Sequence, residues 1–507
     1  KVSEMYVLGL TTMGDAAAVL MKNGAVIAAA EEERFSRKKH HIGFPNLAMQ
    51  YCFDEAGITI KDVAHIGLYW KPWLIRTRAR MALSSLMSKN KSLFAARVNS
   101  GIPRVSSYAS MFTLPSYIRK RFGGGDFKFH FIAHHDCHAA SCFYCSPFET
   151  AAIFTLDGAG EESSTVLAYG KGTQKIRKIA DVKLPHSMGQ FYSAVTNYLG
   201  FDMFEGEEWK VMGLAAYGEP KYYDFLRNNV LVMQGDRNFV FNVEVLDHHL
   251  AKSHSFSAKF IEACGPPRKP GEEFEQRHMD LAASAQKVLE ETALTFAKTL
   301  QKETGEENLC LAGGVAYNSV MNGRIVRDAG FKNVFVQPAA GDSGCAMGAA
   351  LWITHAILQI PRRKALDNAY FGPGFTNEEC RKALAEQNLT FETLPDAELT
   401  KKVARLLADG NLIAWFQGRM EWGPRALGHR SFLADPSMPN VRDVLNHKVK
   451  LREWFRPLAP SMPREYAAEV FGHDYFDPFM VTVHPVPEGN RSKIPGVVHV
   501  DGTARPQ

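Results

Sequence analysis

The chain has 507 residues, 46% of them hydrophobic and 22% charged, and a formal net charge of +5. Such values are typical of a globular protein with about two to four domains, and they exclude a disordered or fibrous chain. The sequence has no run of about 18 apolar residues and no signal-peptide pattern, which predicts a protein without a transmembrane segment. The eight cysteines are too few for a disulfide framework, so we expect a cytoplasmic location.

The predicted elements begin with an antiparallel hairpin. YVLGLTT and AAAVLMKNGAVIAAAEEERF are β-type stretches, and the KNG triplet inside the second is a turn signal. We expect a mixed sheet to open here, with a ligand-facing turn from Thr11 to Asp15. Helical periodicity in FPNLAMQYCFDEAG and a strand pattern in VAHIGLYW follow.

A strongly basic segment comes next, from Lys71 to Phe122. It contains eleven Lys or Arg and no Asp or Glu, so the rest of the chain carries a net charge of −6. Large apolar residues, among them Trp70, Trp73 and Phe94, interleave with the basic ones, which predicts cationic amphipathic helices. Docking on an anionic surface is one interpretation. We favour a helical excursion that covers a pocket and selects a phosphate-bearing or acidic ligand.

The densest candidate chemistry of the first half is the stretch HHDCHAASCFYCSPFETAAIFTLD, from His134 to Asp157. His134 and His138 are four residues apart, so both imidazoles project from one face of the predicted helix. The run AAIFTL predicts a buried strand that delivers Asp157 at its carboxyl end. Much later, Asp342 stands where the turn PAAGDSG enters a helix of small residues. Two imidazoles with carboxylates predict a site for a divalent metal such as iron, zinc or manganese.

Other polar residues of this stretch are given no ligand role. His135 and Asp136 lie off the paired face, and we expect them to be solvated or to contact the ligands from outside. Cys142 and Cys145 form a CxxC, but the chain has no second CxxC. We therefore expect these cysteines to be small packing residues rather than a zinc or redox site.

Glycine turns between strands and helices predict a nucleotide site. The amphipathic helix HMDLAASAQKVLEETALTFAKTLQKETG is followed by the strand and turn NLCLAGG and by another helix. Gly313 and Gly314 would bring N–H groups and a helix N-terminus to phosphate oxygens. Together with the GDSG turn and two hairpin-led sheets, this pattern predicts an α/β chain with the two-lobed actin and hexokinase type of fold. No GxxxxGK[ST] and no GxGxxG motif occurs, which argues against the other common nucleotide scaffolds.

A change of composition marks a second domain. PRRKALDNAYFGPGF is rich in turn formers, and we place a linker over residues 359–375, between domains spanning 5–358 and 376–507. Two helical segments and the strand LIAWFQG then precede two basic, turn-rich loops, in which forked guanidiniums on fixed backbone suit several phosphate oxygens. Nucleic acid is not expected, because the net charge is low and the basic residues cluster in turns. These residues are Arg419, Arg425, Arg430, Lys448, Lys450, Arg452 and Arg456.

Nine stretches of the chain resemble, in order, the O-carbamoyltransferases of the nodulation-protein-U and the cephamycin and aminoglycoside carbamoyltransferase type. The likeness covers nearly the whole chain. The stretches are EEERFSRKKH, HHDCHAAS, FTLDGAG, KVMGLAAYG, LAGGVAYNS, PAAGDSGCAMGAA, GRMEWGPRALGHRSFLADP, VKLREWFRPLAPS and VDGTARPQ.

The resemblance implies two catalytic domains and an ATP-dependent reaction. The first domain is similar to the actin-like subunit that transfers threonylcarbamoyl to tRNA, and the second is similar to the α+β fold called YrdC-like. The second is implied to use carbamoyl phosphate and ATP, with Mg2+, to make carbamoyl-adenylate. The first is implied to hold Fe2+, or another divalent ion, and to transfer the carbamoyl group to a hydroxyl of a small-molecule or glycan acceptor. A homodimer is a further expectation.

The same resemblance implies roles for individual residues. The metal ligands would be His134, His138, Asp157 and Asp342. Contacts with carbamoyl phosphate and ATP would come from Arg425, Lys450, Arg456 and Arg505, and contacts with the adenylate from His40, Gly313, Gly314 and Asn318. The candidate catalytic residues are Asp15, His40, Arg425 and Lys450.

The chain departs from the family in two places. The family's first hairpin carries a histidine before its aspartate, whereas this chain has Gly14 before Asp15. The acceptor hydroxyl must lose a proton, and the open candidates for the base are Asp15, His40 or a water on the metal. The family also continues beyond the VDGTAR motif, so we expect a shortened chain or an incomplete second site. Two alternatives stay open, a tRNA threonylcarbamoyl transferase and a non-catalytic binding protein on the same scaffold.

Overall fold

A computed structural model describes residues 4–80, 109–242, 244–246, 256–362 and 365–507. Much of the predicted basic excursion, residues 81–108, lies outside this described part. The chain divides into two compact units, residues 1–366 and 367–507. Within the described ranges, every helix is too short or too polar to cross a membrane.

The first sheet of the first unit opens with the predicted hairpin. Its strands are β1 (Tyr6–Thr11), β2 (Ala17–Lys22), β3 (Ala25–Glu31), β4 (Val63–Leu68) and β5 (Lys128–Phe131). β2 pairs antiparallel with both β1 and β3, whereas β4 and β5 continue the sheet parallel to β1. Asn23 and Gly24 join β2 to β3 with φ angles of 49° and 85°. Positive angles favour Asn-Gly in a two-residue hairpin, which confirms the predicted KNG turn.

A second sheet repeats this topology. Along the chain, the next strands are β6 (Thr150–Leu156), β7 (Ser163–Lys171), β8 (Arg177–Lys183), β9 (Leu231–Met233), β10 (Phe239–Phe241), β11 (Asn308–Ala312) and β12 (Asn333–Val336). β7 pairs antiparallel with β6 and β8, while β11 and β12 run parallel to β6 on its other side. β9 and β10 form a separate hairpin. Each large sheet is thus an antiparallel meander extended by two parallel strands beside its first strand.

Helices of the first unit carry three of the four predicted metal ligands. They are α1 (Glu33–Ser36), α2 (Asn46–Ala56), α3 (Leu114–Phe122), α4 (His134–Phe143), α5 (Met188–Tyr198), α6 (Glu208–Leu214), α7 (Tyr223–Asn229), α8 (Ala258–Cys264), α9 (Gln276–Thr304), α10 (Ser319–Asp328) and α11 (Asp342–Leu351). The predicted histidine helix, the long amphipathic helix and the helix of small residues are confirmed as α4, α9 and α11.

Small residues let α4 and α11 approach the sheets and each other. α11 packs against α4 and β1, and α4 packs against β6 and β11. A Cβ on Gly9 of β1 would lie 1.8 Å from the Ala346 carbonyl oxygen, and one on Gly348 would lie 1.9 Å from the Cys137 carbonyl oxygen. Because no side chain fits at either contact, Gly9 allows α11 to approach β1 and Gly348 allows α11 to approach α4.

The second unit is built from short strands and helices. Its strands are β13 (Ile413–Phe416), β14 (Arg430–Leu433), β15 (His484–Pro485) and β16 (Thr503–Ala504), which form two antiparallel pairs. Its helices are α12 (Asn377–Glu386), α13 (Asp396–Ala408), α14 (Val441–Val444), α15 (Ala467–Phe471) and α16 (Glu488–Arg491). Phe471, Val486 and Ala504 form a buried apolar cluster. Both units mix helices and sheets, which confirms the predicted α/β class.

Candidate functional site

Two packed helices and the end of a strand bring the four predicted metal ligands together. His134 is the first residue of α4, and His138 stands one turn later on the same face. Asp157 follows the last residue of β6, and Asp342 is the first residue of α11. One ligand atom from each of these residues lies within 4.8 Å of the others. We call this group the metal quartet.

Distances within the metal quartet match those between atoms that share one ion. The Nε2 atoms of His134 and His138 are 3.1 Å apart, and His134 Nε2 is 3.0 Å from Asp157 Oδ2. Asp342 Oδ1 lies 3.7 Å from His134 Nε2 and 3.9 Å from His138 Nε2. Atoms bound at about 2.1 Å to one metal ion have comparable separations. Two imidazoles and two carboxylates suit Fe(II), Zn(II) or Mn(II), so the residues fit a divalent ion.

Burial and mutual charge shift the acid–base properties of the quartet. Burial disfavours a charged His134, yet the carboxylates of Asp342 and Asp157 outweigh it and raise the pKa of this imidazole to about 9. Burial and the neighbouring His134 hold the pKa of His138 well below its usual value. Burial raises the pKa of Asp342 to about 7. A divalent cation would replace the proton that His134 otherwise takes up and would keep both carboxylates ionised.

Two residues beside the quartet were not predicted from the sequence. Cys345 stands one turn after Asp342, and its sulfur forms a second possible donor group with the two histidines. The Tyr69 hydroxyl accepts a hydrogen bond from the Met13 N–H at 3.2 Å, and its ring lies 5.4 Å from that of His134. The three-residue spacing in GDSGC was a usable signal for Cys345. Tyr69 reaches the site only through the pairing of β4 with β1.

The neighbours of the histidine pair have mainly structural contacts. His135 is buried, with Nδ1 2.7 Å from Thr155 Oγ1 and Nε2 3.0 Å from the Ser163 carbonyl oxygen. Of the two roles expected for it, solvation is therefore wrong, because β6 and β7 cover it. The other agrees with the structure, since its ring lies 5.6 Å from that of His134. Cys142 and Cys145 are buried free thiols, which confirms their expected packing role.

The Gly313–Gly314 turn supports the quartet directly. Gly313 has a φ of 98°, and a Cβ there would lie 2.0 Å from the Leu156 carbonyl oxygen, so only glycine fits. The Gly314 N–H donates to Asp157 Oδ1 at 2.9 Å. The sequence predicted that this N–H contacts a nucleotide phosphate. In the structure it donates to the carboxylate of Asp157, a predicted metal ligand. The predicted nucleotide contacts of the turn stay predictions.

Asn318, the other residue predicted on this stretch, is buried in a network of amides. Its Nδ2 donates to Gln286 Oε1 at 2.9 Å, and its Oδ1 accepts from Gln286 Nε2 at 3.0 Å. The same Oδ1 accepts the Met321 N–H and thereby caps α10. The amide of Asn318 thus has protein partners, and its nucleotide contact also stays a prediction.

The turn predicted to face a ligand, Thr11 to Asp15, lies beside the quartet. A Cβ on Gly14 would be 2.7 Å from Asp342 Oδ2. Asp15 Oδ1 is 2.6 Å from His40 Nδ1, and this hydrogen bond raises the pKa of His40. Asp15 and His40 have φ angles of 39° and 49°, which non-glycine residues rarely adopt. The structure therefore brings two candidate catalytic residues together and holds both in uncommon backbone conformations.

In the second unit, the predicted anion contacts form one positive cluster. Burial and the charges of Arg425 and Arg456 hold the pKa of Arg505 well below its usual value. Burial and the charges of Arg452 and Arg456 also lower the pKa of Lys450. Among the described residues, the Nε atom of Arg505 has no hydrogen-bond partner. The positive charges of this cluster repel one another, and an anion bound among them would relieve the repulsion.

Two other arginines near these loops, Arg419 and Arg430, donate hydrogen bonds to backbone carbonyls. Arg419 Nε donates to the Gly372 carbonyl at 3.0 Å. Arg430 Nη1 donates to the Gln417 carbonyl at 2.6 Å, and its guanidinium lies 3.5 Å from the centre of the Phe416 ring. Their guanidiniums hold loop geometry, in addition to any role in the predicted binding of phosphate.

Sequence reasoning missed the residue that orders the loop carrying Arg425. Glu421 is buried, and its Oε1 accepts the N–H groups of Leu427, His429 and Arg430 at 2.8, 2.9 and 3.1 Å. The loop from residue 422 to 430 therefore wraps around one carboxylate. A single acid within the basic run GRMEWGPRALGHR was the available signal.

The described start of the basic segment packs on the loop that follows Asp157. Arg78 Nη2 donates to the Gly160 carbonyl at 2.7 Å, and its Nε donates to the Glu161 carbonyl at 3.2 Å. Arg76 and Arg80 are exposed. Arg78 thus has a structural contact, whereas its two neighbours face solvent and are free to meet a ligand.

Comparison with known proteins identifies the family. Residues 6–351 match the family described as Carbamoyltransferase N-terminus, and residues 404–507 match Carbamoyltransferase C-terminus. The uncharacterized protein sll1178 of Synechocystis sp. is 40% identical over 99% of this chain and 86% of its own. Nodulation protein NolNO of Sinorhizobium fredii is 37% identical over 98% of this chain and 70% of its own.

Among solved structures, HypF of T. kodakarensis is similar over 70% of this chain and 48% of its own, at 16% identity. The TM-score of this likeness is 0.37. The two family matches span most of the sequence, and the relatives are similar over most of their own length. The chain therefore belongs to the carbamoyltransferase family and is a transferase enzyme, as its sequence predicted.

Proposed function

We propose that the protein is an ATP-dependent O-carbamoyltransferase. With carbamoyl phosphate, water and ATP it would form carbamoyl-adenylate and release phosphate and pyrophosphate. It would then transfer the carbamoyl group to a hydroxyl of a small-molecule or glycan acceptor, with AMP as the leaving group. Carbamate is a poor electrophile, and its mixed anhydride with AMP has a good leaving group. The observation that carries this proposal is the metal quartet, a buried and well-fitted donor set in a chain of the carbamoyltransferase family.

Fe2+ is the ion that we assign to the quartet of His134, His138, Asp157 and Asp342. Bound there, it would polarise the carbamoyl carbonyl and stabilise the negative charge that develops on its oxygen. The Gly314 N–H holds Asp157 Oδ1, which leaves Oδ2 directed at His134 and the centre of the quartet. The glycine turn thereby fixes the orientation of one ligand.

His40 is our candidate for the base that deprotonates the acceptor hydroxyl. Asp15 holds its Nδ1 at 2.6 Å, so Nε2 is the nitrogen that would take the proton. Asp15 then stabilises the imidazolium that forms, which agrees with the raised pKa of His40. This pair would do the work for which the family uses a histidine at the position of Gly14.

The positive cluster of the second unit is our candidate site for carbamoyl phosphate and for ATP with Mg2+. Arg425, Lys450, Arg456 and Arg505 would neutralise phosphate oxygens, and the lowered pKa values of Lys450 and Arg505 support a site built for an anion. Guanidiniums bind phosphates through two parallel hydrogen bonds, which also orients them.

We further propose a two-lobed actin and hexokinase-like fold for residues 5–358 and a YrdC-like fold for residues 376–507. The repeated topology of the two large sheets supports the first assignment. The division between residues 366 and 367 falls within the proposed linker, residues 359–375. A cytoplasmic location and a homodimer remain predictions.

The proposal is tested by incubating the purified chain with ATP, Mg2+ and radiolabelled carbamoyl phosphate. We expect pyrophosphate release that depends on carbamoyl phosphate, and label that appears on one member of a panel of hydroxylated metabolites and glycans. Pyrophosphate release that is equally fast without carbamoyl phosphate would contradict the activation step. The transfer step would be contradicted if carbamoyl-adenylate forms but its carbamoyl group is transferred neither to water nor to any hydroxyl.

A further inference from the structure

We infer that Glu161 is a positioning residue for the metal ligand His134, and that it joins the ligand helix to the start of the basic segment. The inference rests on the metal site proposed for the quartet. It concerns a carboxylate that no sequence motif singled out and that does not reach the quartet's centre itself.

The N-terminus of α4 requires a partner from elsewhere in the chain. Ala133 occupies the N-cap position and cannot accept a hydrogen bond with its side chain, while His134 is fully buried. The first N–H groups of a helix have no acceptor within the helix. Both carboxylate oxygens of Glu161 lie 3.1 Å from the His134 N–H nitrogen and supply the missing acceptor.

The same carboxylate also holds the start of the basic segment. Glu161 Oε1 accepts the Lys71 N–H at 2.8 Å. The Glu161 carbonyl accepts from Arg78, so both the backbone and the side chain of this residue bind residues of the segment. One side chain therefore links a metal ligand, the loop that follows Asp157 and the element predicted to cover the pocket.

Burial and charge make this contact important for metal binding. Glu161 is only 4% exposed, so few waters can replace its hydrogen bonds. A carboxylate at a helix N-terminus is favoured by the helix dipole. Four residues after Asp157, it places a third carboxyl group against the His134 N–H, and in its ionised form this group favours a bound cation.

Glu162 provides a matched control. It neighbours Glu161 on the same loop and also contacts the basic segment, with Oε1 3.3 Å from both the N–H nitrogen and the hydroxyl of Thr77. Its other contact is an ion pair with Lys183 at 3.6 Å. Glu162 therefore shares the loop, the carboxylate and a contact with the basic segment, but it is more exposed and lacks the bonds to His134 and Lys71.

The test compares cobalt binding by the wild-type chain and by Glu161→Gln and Glu162→Gln. In Glu161→Gln the carbonyl oxygen can still accept the Lys71 N–H, but an NH2 group replaces the second oxygen, so the His134 N–H loses one of its two acceptors and the negative charge is lost. We expect Co(II) affinity to fall about 10- to 100-fold and the visible absorption bands of Co(II) to shift, because the His134 imidazole moves. Glu162→Gln should bind Co(II) within about twofold of the wild type and with the same bands.

Wild-type affinity and wild-type bands in Glu161→Gln would overturn the inference, and so would an equal loss in Glu162→Gln. If Glu161→Gln does not fold, Glu161→Asp serves instead. It keeps the charge but is one methylene shorter, so it cannot reach both N–H groups, and weaker binding with shifted bands is again the expected result. A wild-type chain that binds no Co(II) would instead overturn the proposed metal site, and with it the role of Glu161.

Discussion

Gly14→Ala tests whether Asp342 is a metal ligand without altering any ligand. A Cβ at position 14 would lie 2.7 Å from Asp342 Oδ2, about 0.7 Å short of the 3.4 Å at which ordinary contacts begin. Gly14 does not have a positive φ, so alanine introduces no backbone strain and acts through this contact alone. The carboxylate must retreat by several tenths of an ångström, more than the roughly 0.2 Å that a metal–ligand distance tolerates.

The expected loss of metal affinity follows from this displacement. Disturbing one ligand or its support typically weakens binding about 10- to 100-fold, which corresponds to about 1.4–2.8 kcal/mol. The assay is an anaerobic competition for Fe2+ between the protein and a coloured chelator. Thermal unfolding of the metal-free protein should change little, because the contact involves a movable side chain.

Gly158→Ala is the control for this experiment. Gly158 directly follows Asp157, yet a Cβ there would meet nothing within 4 Å, so its iron affinity should equal that of the wild type. Unchanged affinity in Gly14→Ala would refute the placement of Asp342 in the metal site. An equal loss in both variants would show that the effect does not come from the contact with Asp342.

Three further predictions concern the proposed reaction. Arg456→Ala should slow carbamoyl-adenylate formation about 10- to 1000-fold but leave transfer from supplied carbamoyl-adenylate intact. Equal losses in the two half-reactions would contradict separate sites for activation and transfer. Because neutral His40 is the proposed base, the transfer rate should rise with pH through a pKa above 6.5. Asp15→Asn removes the bond that raises this pKa, so it should shift the rise of the pH–rate profile to lower pH. A profile that does not shift would exclude His40. Replacing Arg76 and Arg80 by Gln should raise the KM for the acceptor. Arg78→Gln should instead lower the melting temperature, because it removes two hydrogen bonds to the loop after Asp157. Unaltered acceptor kinetics in the double variant would show that the basic segment does not select the acceptor.

Three of the four residues of the metal quartet could be placed from the sequence, because local rules apply to them. A four-residue spacing sets His134 and His138 on one helix face, and an apolar strand delivers Asp157 at its end. The contact of Gly14 with Asp342 follows no local rule. It depends on how a hairpin turn and α11, which are distant in sequence, pack around β1. The same holds for Glu161, whose partners Lys71 and His134 come from two other segments.

Counting basic residues predicted an anion site, but it did not indicate which guanidiniums bind the backbone and which lie among like charges. Arg419 and Arg505 are equally basic in the sequence, yet the first donates to the Gly372 carbonyl and the second lies among like charges. The difference arises from loop conformation. Glu421, for example, orders the loop that carries Arg425 through three backbone bonds. His135 shows the same limit, since its helix position indicated the face it occupies but not that β6 and β7 cover that face.

In the proposed function, a metal-dependent transfer site in the first unit works separately from carbamoyl activation in the second. Following both half-reactions in His138→Ala tests this separation, with iron content measured by elemental analysis and folding by circular dichroism. We expect a folded chain with background iron that forms carbamoyl-adenylate at the wild-type rate and does not carbamoylate the acceptor. Full iron occupancy, or loss of carbamoyl-adenylate formation together with transfer, would contradict it.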